Sequence, residues 1–370
     1  MTSRAALRVV HVVGGTRTGS TRVVLNLLAN ADRTRIEPMV CLFSIKPADA
    51  EVIAEVDAIG VRWREVVKRS RYELRAFDRL VTALRSLAPD VVVVHGFGAY
   101  SYGALAARTA GARFVVRVEH SPEIYGPHYQ LVSAATAAFV DSTILVSRYV
   151  GDYLSARGTV LPRPEVIYSG VALDPLLAVA RPPFPDERAG APARVGMIAR
   201  LDEAKDHDTL LDAATRLAVR GRPITLTLAG DGPFRPRLEA EARRLRLDVR
   251  FPGHVAQLAA LLEELDVVVL STHFEGFGLA LVDGMAAARP VVATRVAAVP
   301  EVFDDGVEGL LVPPRDPEAL ADAIATLVDN PARARAMGAA GRARAAARHA
   351  LLPSVRAFEA HLLRTAGRSR

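Results

Sequence analysis

The chain of 370 residues holds a single cysteine, Cys41. One thiol cannot close an internal disulfide, and it excludes zinc centres built on several cysteines. Aromatic residues make up only 6% and are not interleaved with the basic ones. That argues against a stacking surface for nucleic acid, so no nucleic-acid partner is expected. No apolar run approaches the roughly 18 residues that cross a bilayer. The amino terminus lacks an apolar block followed by a small-residue cleavage site, so a cytosolic protein is expected. Acid is missing from whole stretches. Residues 1–30 carry Arg4, Arg8, Arg17 and Arg22 with no Asp or Glu, and residues 333–370 carry nine Arg against Glu359 alone. Residues 62–85 set eight Lys/Arg against three acids, and the net charge is +6. Such faces suit an anionic substrate or peripheral contact with an anionic membrane on its inner side, or are simply solvated.

Half the residues are apolar and none of the chain is low-complexity, as in a globular protein. The length exceeds one ordinary core, which predicts two domains. The most informative stretch is residues 267–292. Val267 to Leu270 is an apolar run that reads as a buried parallel strand. A short loop with Glu275, Gly276 and Gly278 follows, and Leu279, Val282, Met285 and Ala286 then recur at helical spacing. Pro290 ends that helix, and Val291-Val292 opens another strand. Glu275 therefore sits between a strand's carboxyl end and a helix start. The first turn of a helix offers unpaired N–H groups, and glycine lets a phosphate approach the backbone. Two carboxylates, Glu275 and Asp283, flank this turn. They would repel a bare phosphate but accept hydrogen bonds from sugar hydroxyls. A helix start beside two hydroxyl acceptors points to a nucleotide sugar.

The remainder alternates strand and helix. Leu7 to Val13 is a strand running into Gly14-Gly15-Thr16-Arg17-Thr18-Gly19, and a helix follows. This is not a dinucleotide fingerprint, because the G-x-G-x-x-G pattern fails at Thr16 and the next strand lacks a ribose-binding acid. Asp90 to His95 and Phe114 to His120 are buried strands, each with a histidine at its carboxyl end, where ligands of open α/β sheets bind. Strands are also expected at Pro38–Phe43 and Ser142–Ser147, and Glu165–Gly170 closes this half. Residues 182–192 (PPFPDERAGAP) read as a linker. The alternation restarts with Arg194–Ala199, then Arg200 and Lys205 ahead of a helix from Asp208. Two cations leaving a strand end suit a diphosphate, Arg as a fork and Lys as a point charge. Asp206-His207-Asp208 spells D-x-D, but acids in a first helical turn are explained by capping and the helix dipole. Ile224–Ala229 is followed by Gly230-Asp231-Gly232-Pro233, and Val249 to Val255 is a short strand and turn holding Gly253 and His254. Residues 317–349 read as helical, and a last amphipathic helix starts at Pro353.

The run Glu275-Gly276-Phe277-Gly278-Leu279…Asp283-Gly284-Met285-Ala286 resembles the E-x7-E signature of family 4 retaining glycosyltransferases, with Asp283 where the family has Glu. Arg200 to Lys205 is similar to that family's G-R-L-x-x-x-K segment, Gly230–Pro233 to its A-G-x-G-P turn, and Ala297–Gly309 to its G-x-P-E-x-x-x-D-G segment. The resemblance implies an α/β chain of GT-B architecture, two facing Rossmann-like domains with parallel sheets. Residues 1–180 would bind the acceptor, 181–193 link, 194–352 hold the nucleotide sugar, and 353–370 form a helix crossing back to the first domain. It implies Glu275 and His95 as the catalytic contacts to the transferred sugar. Arg200, Lys205, Gly15, Gly230, Gly253, His254, Gly276, Phe277, Gly278, Leu279 and Asp283 would bind the nucleotide sugar, with Glu301 orienting the loop beside the phosphates. His120, Arg17 and Gly19 would line the acceptor side. The expected reaction moves a sugar from a UDP- or GDP-sugar to a hydroxyl acceptor, a lipid-linked saccharide or polysaccharide, with retention and without metal or cofactor. An epimerase or hydrolase on the same fold, a natural-product glycosyltransferase and a non-catalytic binder of sugar nucleotides are the alternatives.

Overall fold

The computed structural model describes residues 6–70, 73–121, 128–180 and 191–367. Most of the expected linker, residues 181–190, lies outside them. The chain divides into two compact units, Met1–Gly170 with Leu351–Arg370, and Val171–Ala350.

The first unit runs β1 (Leu7–Val13), α1 (Gly19–Ala29), β2 (Ile36–Ser44), α2 (Ala50–Ile59), β3 (Arg62–Val67), α3 (Arg75–Leu87), β4 (Val91–His95), α4 (Gly96–Thr109), β5 (Phe114–Glu119), α5 (His128–Ala137), β6 (Ser142–Leu145), α6 (Arg148–Ser155) and β7 (Pro164–Val166). Its seven strands are parallel in the order β3-β2-β1-β4-β5-β6-β7. The run of four valines from Val91 to Val94 is fully buried, as expected of a strand covered on both faces. Edge strand β3 gives no clear signal in the sequence. It reads RWREVV, and Arg62, Arg64 and Glu65 are exposed, a charge pattern that keeps an edge from pairing with another chain. Helix α3 carries Ala76, Leu80, Val81, Leu84 and Leu87 on one buried stripe while its arginines face outward.

The second unit runs α7 (Asp174–Leu177), β8 (Ala193–Ile198), α8 (His207–Val219), β9 (Ile224–Ala229), α9 (Arg235–Arg244), β10 (Val249–Gly253), α10 (Leu258–Glu264), β11 (Val267–Leu270), α11 (Leu279–Ala286), β12 (Val291–Thr294), α12 (Val299–Val302), β13 (Gly309–Val312), α13 (Pro317–Val328) and α14 (Pro331–Arg348). Six parallel strands take the order β10-β9-β8-β11-β12-β13. Residues 171–180, assigned to the first domain in the sequence reading, group with this unit. Buried Arg289 donates from Nη2 to Ala180 O (2.8 Å) and from Nε to Leu262 O (2.7 Å), and Arg342 donates to Val179 O (2.9 Å). The helical stretch 317–349 is two helices. Asn330 breaks it by accepting the N–H of Arg333 (3.0 Å), with Pro331 at the first helical position.

The last helix, α15 (Leu351–Gly367), belongs to the first unit. Glu359 accepts the N–H of Asp32 (2.7 Å), and the His361 ring bridges Ser142 (2.8 Å) and Glu165 (2.6 Å).

Candidate functional site

In both sheets the strand order reverses beside the first strand, between β1 and β4 and between β8 and β11. Crevices at such reversals, outside the strands' carboxyl ends, are where open α/β sheets bind ligands.

In the second unit, β8 hands over to residues 199–206 and β11 to residues 271–278. The two loops are stitched together. Ser271 Oγ donates to Asp206 O (2.9 Å), His273 N donates to Ala204 O (2.9 Å), and Thr272 Oγ1 lies 2.8 Å from the same carbonyl. The stitching brings Lys205 Nζ to 2.6 Å from Glu275 Oε2, each side chain 19% exposed. Arg200 leaves the same loop 58% exposed, its Nε 3.2 Å from Asp202 Oδ2. Each cation already has a carboxylate partner. The backbone of Glu275 is held from the other side, where its carbonyl accepts the N–H of Ala298 (3.2 Å), just before α12 and Glu301.

Gly278 is the N-cap of α11, with φ +97°, a conformation open to glycine, and it has no side chain to cap the first N–H groups. Gly276 and Phe277 are buried, and Phe277 packs edge-on against His349 with centroids 5.5 Å apart. Phe277 is thus a core anchor for the loop, and Leu279 is half-buried. Asp283 is only 1% exposed, one turn into the helix.

Gly230 has a packing reason to be glycine, and Gly253 a backbone one, φ +74°. A Cβ on Gly230, at φ +139°, would stand 1.9 Å from Ala199 O. Gly230 N donates to Gly253 O (2.8 Å), and Leu201 N donates to Asp231 O (3.0 Å). The turn after β9 therefore lies directly on the loop that carries Arg200. His254, next to Gly253, is exposed. The D-x-D acids are engaged structurally. Asp206 caps α8 by accepting the N–H and hydroxyl of Thr209, and Asp208 takes both Arg237 nitrogens at 2.9 and 2.8 Å.

In the first unit, His95 ends β4 and His120 follows β5. The structure adds His11, from β1. His11 Nδ1 lies 2.9 Å from His95 Nε2, and His95 Nδ1 lies 3.0 Å from His120 Nε2. Both His95 nitrogens are taken within the protein, so the sugar contact expected of His95 would have to replace one of these contacts. Burial pushes His11 down to about 3 and His120 to about 4, and lowers His95 further with help from its two neighbours. His11 escaped the sequence reading. Its signal was present: a lone imidazole inside the apolar strand LRVVHVV must find a polar partner once buried. Arg17 is likewise spoken for. Its N–H goes to Asp49 (2.8 Å) and its guanidinium to Glu51 (2.9 Å) and Glu55 (3.6 Å). Gly15 abuts the segment leading into α2, since a Cβ there would meet Ala48 Cβ at 2.7 Å, and Gly19 opens α1 behind its N-cap Thr18.

Two family models match the chain: glycosyltransferase family 4 over residues 17–175, and glycosyl transferases group 1 over residues 192–330. The chain belongs to the family 4 glycosyltransferases of GT-B fold. A glycogen synthase of Mycobacterium tuberculosis is 31% identical over 277 residues, 70% of this chain and 65% of that protein. The match thus spans just under two thirds of that relative. The putative glycosyltransferase EpsF of Bacillus subtilis is 29% identical over 352 residues, 90% of this chain and 88% of EpsF. Among solved structures, the Anabaena protein HepE, crystallised with UDP and glucose, superposes with a TM-score of 0.84 over 97% of this chain and all of its own, at 22% identity. That likeness supports the fold. No helix among the described residues is long and apolar enough to cross a membrane.

Proposed function

We propose that this family 4 chain moves a sugar from a UDP- or GDP-sugar to a hydroxyl acceptor, with retention and without a metal. The Lys205–Glu275 contact beside the start of α11 carries the reading. It sets a phosphate-binding cation and a hydroxyl-binding carboxylate 2.6 Å apart at a topological switch point. The donor's diphosphate would draw Lys205 and Arg200 from their carboxylate partners and take N–H groups from the first turn of α11. That exchange frees Glu275 for the transferred sugar and for the positive charge developing at its anomeric carbon. Asp283 lies on the ribose side in this reading, reached from a buried position. The bond from the anomeric carbon to the phosphate oxygen breaks with its electron pair going to phosphate. The acceptor oxygen forms the new bond on the same face, and its proton passes to the leaving phosphate.

Metal independence rests on the two cations and on the engagement of Asp206 and Asp208 elsewhere. The similarity to a glycogen synthase favours a saccharide acceptor, and the arginine-rich faces favour one that is polymeric or lipid-linked. The test is transfer from UDP- and GDP-sugars to an oligoglucan primer with a chelator present, reading the new anomeric centre by NMR. Retained configuration at an undiminished rate is expected. Transfer that needs a divalent ion, or inverts, or release of free or isomerised sugar without transfer, contradicts the proposal.

A further inference from the structure

Lys205 Nζ lies 2.6 Å from Glu275 Oε2, and neither side chain has another hydrogen-bond or ion-pair partner among the described residues. Both are mostly covered, each 19% exposed. Drift of the loops cannot relieve the pair, because Ser271 Oγ and His273 N hold the β11 loop to Asp206 O and Ala204 O, at 2.9 Å each. The neighbouring cation is placed differently. Arg200 is 58% exposed beside Asp202, so water reaches its guanidinium whichever partner it has.

The Glu275 side chain also lies against the start of α11. A Cβ on Gly278, the N-cap, would stand 3.5 Å from Glu275 Cγ. A phosphate on the first N–H groups of that helix is therefore set beside the carboxylate. If Lys205 turns to the phosphate, Glu275 loses its one partner in a place with little water. If Lys205 bridges both, two negative groups share one ammonium. Either way, a diphosphate that arrives alone leaves carboxylate charge uncompensated. A ligand that also brings hydroxyl groups removes that penalty, since a carboxylate is a strong acceptor for O–H donors.

We propose that the Lys205–Glu275 pair is a specificity device: Glu275 withholds Lys205 from a nucleoside diphosphate and yields it to the same nucleotide carrying a sugar. This selectivity rests on the glycosyl-transfer reading and goes beyond it, because a Glu275 that only touched the sugar would be indifferent to a nucleotide without one. Once the sugar has passed to the acceptor and left, Glu275 reclaims Lys205, and the spent nucleoside diphosphate is loosened.

The experiment is calorimetric titration of UDP, GDP and their sugars into the full chain and into Glu275→Gln, with a chelator present. In the wild type, the preferred donor should bind about tenfold more tightly than its own nucleoside diphosphate. Glu275→Gln should bind that nucleoside diphosphate about threefold more tightly than the wild type does, and the donor about threefold more weakly, so that the preference all but disappears. An unchanged nucleoside diphosphate affinity in Glu275→Gln, or a preference that survives there, overturns the proposal and leaves the donor site standing. So does a wild-type chain that binds the nucleoside diphosphate as tightly as the donor, a result that needs no variant to fold. Failure of the wild type to bind any of these nucleotides overturns the donor site itself, and the selectivity with it.

Discussion

The two units solve the same topological problem with opposite chemistry. Each is a parallel sheet whose strand order reverses beside its first strand, and each brings its polar side chains to that reversal. In the second unit those groups are formal charges near the surface, Lys205 with Glu275 and Arg200 with Asp202. In the first they are three imidazoles whose charged forms burial forbids. The fold fixes where a ligand goes, and the side chains fix what kind it is. Exposed charge that already has a partner suits exchange with a charged ligand. A buried neutral chain suits the recognition of hydroxyl groups.

The sharpest way to break this contrast is at Glu275. Glu275→Gln keeps the shape and removes the charge, and turnover should fall by about a hundredfold or more, since stabilisation of transition-state charge is lost. Nucleotide binding should persist within about threefold, because Lys205 loses a competitor for the phosphates. Steady-state kinetics beside calorimetry checks both, and wild-type turnover would refute the assignment. Gly230→Ala should come next. Its Cβ would collide with Ala199 O, so the Arg200 loop must shift. A loss of about 1–3 kcal/mol in stability, read by chemical denaturation, should come with weakened nucleotide binding. Gly60→Ala is the matched control, since Gly60 shares a positive φ, +70°, but has open space around its Cβ. It should cost less and spare the nucleotide.

The remaining prediction concerns pH. Burial pushes His11 down to about 3 and His120 down to about 4 in the folded chain, against about 6.5 when unfolded. Between those values the unfolded state binds more protons, so stability rises with pH there. It is present in full above about 6.5 and is lost as pH falls toward 4. His207 and His349, held near 4 by burial in the second unit, add to the same slope. Melting temperatures from pH 7 to 4.5 should fall, and His11→Phe should flatten the curve.

Much of this was legible in the residues. Val91–Val94, Val267–Leu270 and Ile224–Ala229 announce buried strands because a parallel sheet covered on both faces needs unbroken apolar runs. Glu275, Lys205 and Gly278 were legible because strand–loop–helix spacing places them at a sheet's carboxyl edge. What escaped depends on tertiary contact. Nothing in the spacing says that Lys205 meets Glu275, seventy positions on, or that Arg17 is matched by Glu51 and Glu55. Asp283 is buried because its helix is covered on every side from Leu281 to Ala286, which the spacing of apolar residues does not announce. Gly230 and Gly253 looked like ligand-facing glycines, but close approach to Ala199 suffices to explain Gly230. His95 looked available because His11 was hidden in an apolar strand.

In the proposed reaction the second unit's switch point holds a nucleoside diphosphate sugar through Lys205. Calorimetric titration of UDP- and GDP-sugars into the wild-type chain and Lys205→Ala, both with a chelator, tests it most directly. At least one donor should bind the wild type, undisturbed by the chelator, with affinity about ten- to a hundredfold weaker in the variant, as when one charge-assisted phosphate contact is lost. Equal affinity in the two proteins, or binding that appears only with a divalent ion, would contradict it.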